Sequence, residues 1–293
     1  MPIIINTNLA SLQTQRNLTN ANEALSRSME RLASGLRINR ASDDAAGMGI
    51  ALRMTGQIRS LSQAARNTMD GISLIQVAEG AYNEVANILV RLRELAIQSA
   101  NGTLSTADRA TLQVAADRLI QEISGIATST QFNGVTLLNN SAGNTIVFQV
   151  GVGTVSYTVA ATDQIAVTLY SLAASSFTSS NVDLTSGANQ IILTSASNAL
   201  AAIATLDTVI TNLNQSRSVL GAAQNGLESR SRNQTITIEN LTAARSRIQD
   251  VDVAQETSEM VRGQILVQTG TSVLAQANQL PSLALTLLGG GGR

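Results

Sequence analysis

The chain has 293 residues, a formal charge of −1 and 44% apolar residues, with aromatic side chains at only 2%. So balanced a charge leaves no electrostatic footprint for nucleic acid or an anionic membrane. There is no Cys, His or Lys, which excludes disulfides, thiol nucleophiles, Cys/His metal sites, imidazole acid–base chemistry and Schiff bases.

Only carboxylates remain as catalysts, and the apolar mass is Ala, Leu, Ile and Val, which suits parallel helices better than an aromatic-lined pocket. All nineteen basic residues are Arg, a side chain that makes forked ion pairs at interfaces. A compositional bias of the source explains the missing Lys equally well. No run of about 20 apolar residues exists, so no membrane-spanning helix is expected. The opening residues lack a basic region followed by a long apolar run, so no cleaved secretory signal is expected either.

Charge divides the sequence in three. Residues 1–118 carry twelve Arg and ten acids; from Leu119 to Ser216 there is no basic residue, and mixed charge returns at Arg217. The ends read as helix and the middle as strand and loop. The first helix is expected over residues 6–34, with Leu18, Ala21, Leu25, Met29 and Leu32 on one face and Gly35 as its C-terminal cap. Ser42 looks like the next N-cap, with Asp43 and Asp44 in the first turn, where the helix dipole favours negative charge.

The second helix has the strongest pattern. Ile58, Leu61, Ala65, Thr68, Ile72 and Ile75 step by three and four, as do Ala81, Val85, Ile88, Leu92 and Leu95. Ile75, Ala78 and Ala81 give a local phase shift between them. This is a coiled-coil seam of about fifty residues, ended by Asn101-Gly102. A third helix follows from about Ser105, with Leu112, Ala115, Leu119, Ile123 and Ile126 on one face. Gln131 to Gly134 is a turn signal. Ile146–Val150, Thr154–Val159 and Ile165–Tyr170 read as strands, and Ala173–Ser197 as a Ser/Thr-dense loop open to O-glycosylation. Helical periodicity resumes with Leu200, Ile203, Leu206, Ile210, Leu213, Leu220 and Leu227. A last helix is expected from Ala254 to about Leu280, where Pro281 breaks it. The Gly289–Gly292 run reads as a loose tail.

The fold class is therefore mainly α: long coiled-coil helices from both termini with a small β-hairpin region in the middle. The expected division is an inner terminal-helix domain from residues 1–42 and 254–293, and a helical rod domain over 43–253 with its β-region at about 130–195. The first and last helices must pair across the whole chain length. A lone copy can bury only part of so much aliphatic surface. Both termini are thus expected to be disordered in the monomer and to fold when neighbours cover them. The expected subunit interface is Leu18, Leu25, Met29, Leu32, Ile265, Leu266, Val273, Leu274 and Leu280.

Three segments go beyond periodicity: Ser34–Gly47, Arg91–Asn101, and Ser246–Asp252 continuing to Gly270–Pro281. With Ile5-Asn6-Thr7-Asn8-Leu9 they resemble the bacterial flagellins over about residues 1–140 and 200–288. The resemblance implies a structural subunit that polymerises into the extracellular filament for motility. It also implies export by the flagellar type III route, an export chaperone on the C-terminal segment, a cap protein over the growing tube, and no cofactor. The larger members' outer domains look absent from the short middle region. Arg91, Glu94, Leu95 and Gln98 resemble a surface that a Toll-like innate receptor recognises. Arg91 and Leu95, four apart, share a helix face, and Leu95 also fits the apolar seam. A Glu that recognised members carry in the following helix is Ala115 here, which weakens that implication.

Arg91 to Gln98 reads on its own as a solvated face with an Arg91–Glu94 pair. Asp43 and Asp44 read as cap stabilisers rather than paired catalytic acids, and Asp250 and Asp252 as a linker or helix start rather than a metal site. A hook–filament junction protein shares such terminal helices and is the alternative function. A metalloprotease carried in the middle would need His, which the chain lacks.

Overall fold

A computed structural model describes residues 7–139, 144–153, 163–171 and 191–289. In chain order come α1 (Leu9–Ser34), α2 (Ala45–Ala100), α3 (Thr106–Ser129), β1 (Gln131–Phe132), β2 (Val135–Thr136), β3 (Asn144–Gln149), β4 (Gln164–Leu169), α4 (Ala196–Gln249) and α5 (Val253–Gly289). The expected mainly α architecture with a small central β-region is present. Thr154–Val159, most of the Ser/Thr-dense stretch and Gly290–Gly292 lie outside the described residues. No described helix is long and apolar enough to cross a membrane.

The chain forms two compact units, one from residues 1–56 and 240–293, the other from residues 57–239. They divide within α2 and α4, whereas residues 42 and 254 lie near helix ends.

In the second unit, α2 presents Ala64, Gly71, Ala78, Val85, Leu92 and Ser99 at sevenfold spacing, interleaved with Thr68, Ile75, Tyr82, Leu89 and Ala96; all are buried. The steps of four and three never break, so the phase shift expected at Ile75–Ala81 is not there. Tyr82 and Leu89, both fully buried, carry the register where Ala81 and Ile88 suggest a slip. The same correction holds on α3, where Ala116 and Ile120 are buried and Ala115 is exposed. On α4, Ala199, Leu206, Leu213, Leu220, Leu227 and Gln234 lie seven apart and buried, while Leu200 is 61% exposed.

Close approach explains the small residues. A Cβ on Gly71 would lie 3.2 Å from Leu227 Cδ1 and 3.3 Å from the Phe148 ring. One polar layer crosses this core. Gln234 Nε2 donates to the Val150 carbonyl at 2.6 Å and meets Thr68 Oγ1 at 3.4 Å. A satisfied polar layer in an aliphatic seam fixes register.

The β-region closes one face of this core. Asn133 (φ 50°) and Gly134 (φ 78°) form the two-residue turn joining β1 to β2, as Asn-Gly favours. β3 and β4 pair antiparallel from Asn144 with Leu169 to Gln149 with Gln164, and Val167 and Leu169 point inward. The Tyr82 hydroxyl donates to the Tyr170 carbonyl at 2.8 Å and accepts its N–H at 3.1 Å; burial pushes its pKa up. Gln113 clamps the segment before α4, accepting the Leu193 N–H and donating to the Ile191 carbonyl.

Helix ends are tied by side chains. Asp44 Oδ1 accepts the Gly47 N–H at 2.8 Å, so Asp44 rather than Ser42 starts α2. Asp43 Oδ2 instead accepts the N–H groups of Asn39 and Arg40, which holds its carboxyl below the usual range. A Ser105–Asp108 capping box starts α3. At the other end of α2, buried Arg109 donates to the carbonyls of Ser99 and Asn101, both at 2.8 Å, satisfying acceptors the helix cannot use itself.

The corrected register has a measurable consequence. Leu89→Ala, at a fully buried site, should lower unfolding free energy by about 2–5 kcal/mol. Ile88→Ala, only partly buried, should cost clearly less. Denaturant unfolding of both variants checks this; a larger loss at Ile88 would restore the shifted register.

Candidate self-assembly surface

The terminal helices meet in the first unit and run antiparallel. From α1, Ser11, Thr14, Leu18, Ala21, Leu25, Ser28 and Leu32 turn inward by steps of three and four. From α5, Glu256, Met260, Gly263, Val267, Gly270, Leu274 and Ala277 do the same. Large side chains of one helix face small residues of the other. A Cβ on Gly270 would lie 3.2 Å from Leu18 Cδ1, and one on Gly263 would lie 3.3 Å from Leu25 Cβ. These glycines let the backbones close in without a clash.

Polar contacts fix the ends of the seam. Arg31 pairs with Glu256 at 3.6 Å. At the far end Asn8 acts twice. Its Oδ1 accepts the Ser11 N–H at 3.0 Å, capping α1, and its Nδ2 donates to the Ala277 carbonyl at 2.7 Å. Ala277 lies four residues before Pro281, which has no N–H to give it. The expected break at Pro281 is therefore wrong: α5 continues to Gly289, and Asn8 supplies the donor that proline lacks.

The links between helices pair as well. Gly35, at φ 71°, caps α1, its N–H donating to the Arg31 carbonyl. Its own carbonyl accepts the Val251 N–H at 3.1 Å, and the Arg37 N–H donates to the Gln249 carbonyl at 2.7 Å. Asp252 Oδ1 accepts the N–H groups of Ala254 and Gln255. It is the helix-start residue of α5, and Asp250 forms a β-bridge with Leu36.

The expected interface residues fall into two sets. Leu18, Leu25, Leu32 and Leu274 are half-buried in the α1–α5 seam. Met29 (47% exposed), Ile265 (55%), Leu266 (51%) and Val273 (51%) lie outside it, with Leu9 (65%) and Leu12 (55%). The side chain of Leu280 lies outside the described residues. In the other unit, Arg91, Glu94 and Gln98 are exposed, and Arg91 pairs with Glu94 at 2.6 Å. Leu95 is only 8% exposed and belongs to the core. Sequence reasoning missed Asn8, Gly263 and Gly270; the missing N–H at Pro281 was the available signal for the first.

Two helices from opposite ends of the chain, paired yet leaving large aliphatics in solvent, define a structural protein built to associate. The family model for the bacterial flagellin N-terminal helical region matches residues 5–143, and that for the bacterial flagellin C-terminal helical region matches residues 203–288. The chain belongs to the bacterial flagellin family. It is 44% identical to a flagellin of Halalkalibacterium halodurans over 98% of this chain and 100% of that one. It is 40% identical to a flagellin of Bacillus subtilis, covering 97% and 99%. Identity is also 40% with a flagellar filament 33 kDa core protein of Treponema phagedenis, covering 98% and 100%.

Because the chain has no Cys, the pairing can be read by a single designed crosslink. Leu25→Cys with Gly263→Cys, whose Cβ atoms would lie 3.3 Å apart, should oxidise to a disulfide. Leu25→Cys with Ile265→Cys, the latter outside the seam, should not. Gel mobility without reductant distinguishes them, and equal crosslinking of both pairs would refute the register.

Proposed function

We propose that the aliphatics left outside the α1–α5 seam are the surface that neighbouring copies cover during polymerisation. The chain is a structural subunit of the extracellular bacterial flagellar filament, serves motility, and is not an enzyme. The carrying observation is the exposure of Ile265 (55%), Leu266 (51%) and Val273 (51%) on a helix already packed against α1. Patches of this kind mark association sites. The matched relatives, covered nearly whole, are flagellins and filament core proteins, which favours the filament over the hook–filament junction.

The finer reading follows the family. The chain leaves by the flagellar type III route, an export chaperone shields the C-terminal segment before secretion, and a cap protein covers the growing end. An inner domain of residues 1–42 and 254–293 acquires its order when neighbours cover it. The supporting argument is that Leu9 and Leu12, at 65% and 55% exposed, gain little from folding alone.

Seeded growth viewed by electron microscopy tests the core claim. The parent should extend filament fragments into long tubes. Ile265→Ser with Val273→Ser should keep the monomer's circular dichroism yet stop extension. In dilute monomer, protease should remove both terminal segments before the middle is cut. Undiminished growth of the double variant would defeat the assignment of this surface.

A Toll-like innate receptor would meet the face of α2 bearing Arg91, Glu94 and Gln98, with Leu95 beneath it. Exposed Ala115 on α3 supplies no carboxylate. Ala115→Glu should raise signalling in a receptor reporter-cell assay, and Arg91→Ala should lower it; no response to either change would remove this partner.

A further inference from the structure

On α2 a second stripe faces away from the core: Met69, Gln76, Asn83, Val90 and Ile97, spaced by seven and exposed. Met69 (60% exposed), Val90 (51%) and Ile97 (49%) are apolar. Between them lies a cavity of about 230 Å³ lined by Gln76, Glu79, Gly80, Asn83 and Arg217 of α4. Arg217 is partly buried. Its Nε is shut off from solvent and has no hydrogen-bond partner. Glu79 lines the same cavity, yet among the described residues Arg217 is in none of the ion pairs within 4.0 Å. A guanidinium donor hidden from water without an acceptor is costly. Gly80 leaves the approach open, since a Cβ there would meet nothing within 4 Å.

We propose that Arg217 is a socket for a carboxylate of a second copy of this chain, gripped between the apolar ends of the α2 stripe. The proposal rests on the filament reading and adds a second contact, in the unit of residues 57–239, of different chemistry from the α1–α5 surface. Charge complementarity selects the occupant. With no Lys in the chain and Arg217 lining the cavity, a carboxylate fits end-on against its two terminal nitrogens, which are not among the buried unpartnered atoms. The α2 stripe supplies the anatomy of an interface: an anchor charge flanked by apolar surface that excludes water. Each copy also carries candidate acids. Asp70, Glu84, Glu122 and Glu239 are exposed and have no ion-pair partner among the described residues.

Seeded filament growth with full-length protein tests this, the parent serving as control. Arg217→Gln should weaken extension on the order of thirtyfold, as loss of one member of a buried charge pair does. Arg217→Glu should abolish it, with the monomer's circular dichroism and melting unchanged. Adding one of Asp70→Arg, Glu84→Arg, Glu122→Arg or Glu239→Arg to Arg217→Glu should restore growth. Parent-like extension by both Arg217 variants would overturn the socket while leaving the filament reading intact. Lost growth with a destabilised monomer and no rescuing reversal would also overturn it, placing Arg217 in the fold of the single chain. A parent that fails to extend would instead refute the filament reading itself.

Discussion

The structure depends on size complementarity between paired helices. Leu18 and Leu25 of α1 reach into space that Gly270 and Gly263 of α5 leave empty. Leu227 and Phe148 do the same at Gly71. A helix pair closes to its tightest spacing only where one side chain of each facing couple is small, and tight spacing brings many weak dispersion contacts into range. The arrangement has a second effect. With Gly, Ala, Ser and Thr occupying inward positions, many large aliphatics remain outside. Ile265 and Val273 are exposed because Gly263 and Gly270 took the inner places.

Sequence separation is overcome by hydrogen bonds at the helix ends. Asn8 completes α5 at the carbonyl that Pro281 strands, 269 residues away in the chain. Gly35 and Arg37 exchange backbone bonds with the segment around Gln249 and Val251. Arg109 closes the end of α2 from the first turn of α3. Each bond joins a group that helical geometry leaves unpaired to a donor or acceptor fixed by another element. Residues near both ends of the chain are thereby mutually necessary, which gives a local reason for the motifs around Asn8 and Gln279-Leu280-Pro281.

Much of this was legible in the sequence. Periodicity located the helices, Gly35 and Asn101-Gly102 marked boundaries, and Asn133-Gly134 marked the turn. The periodic pattern places the seams about one residue off, to either side. It selects Ile88 over Leu89, Ala115 over Ala116, Leu200 over Ala199 and Met29 over Ser28, and only in the last two pairs is the selected side chain the larger one. Nothing in a single helix shows that its inner positions face large residues elsewhere; that fact belongs to the pair. The Pro281 error had the same origin. A proline ends a helix in isolation, but a side chain from a distant segment can replace its missing donor.

Those misassignments carry functional meaning. On α5, Met260, Gly263, Val267, Gly270 and Leu274 occupy the face against α1, Val261 and Ile265 point away from it, and Leu266 and Val273 border it. A helix apolar on a single face is satisfied by one partner; a helix apolar on opposed faces belongs in an interior. Helix α1 gives α5 half of that interior. On the proposed assembly surface the remaining half comes from neighbouring copies. Under that proposal the residues that periodicity assigns to one core are divided between a molecule and its neighbours, which is the division a self-assembling subunit needs.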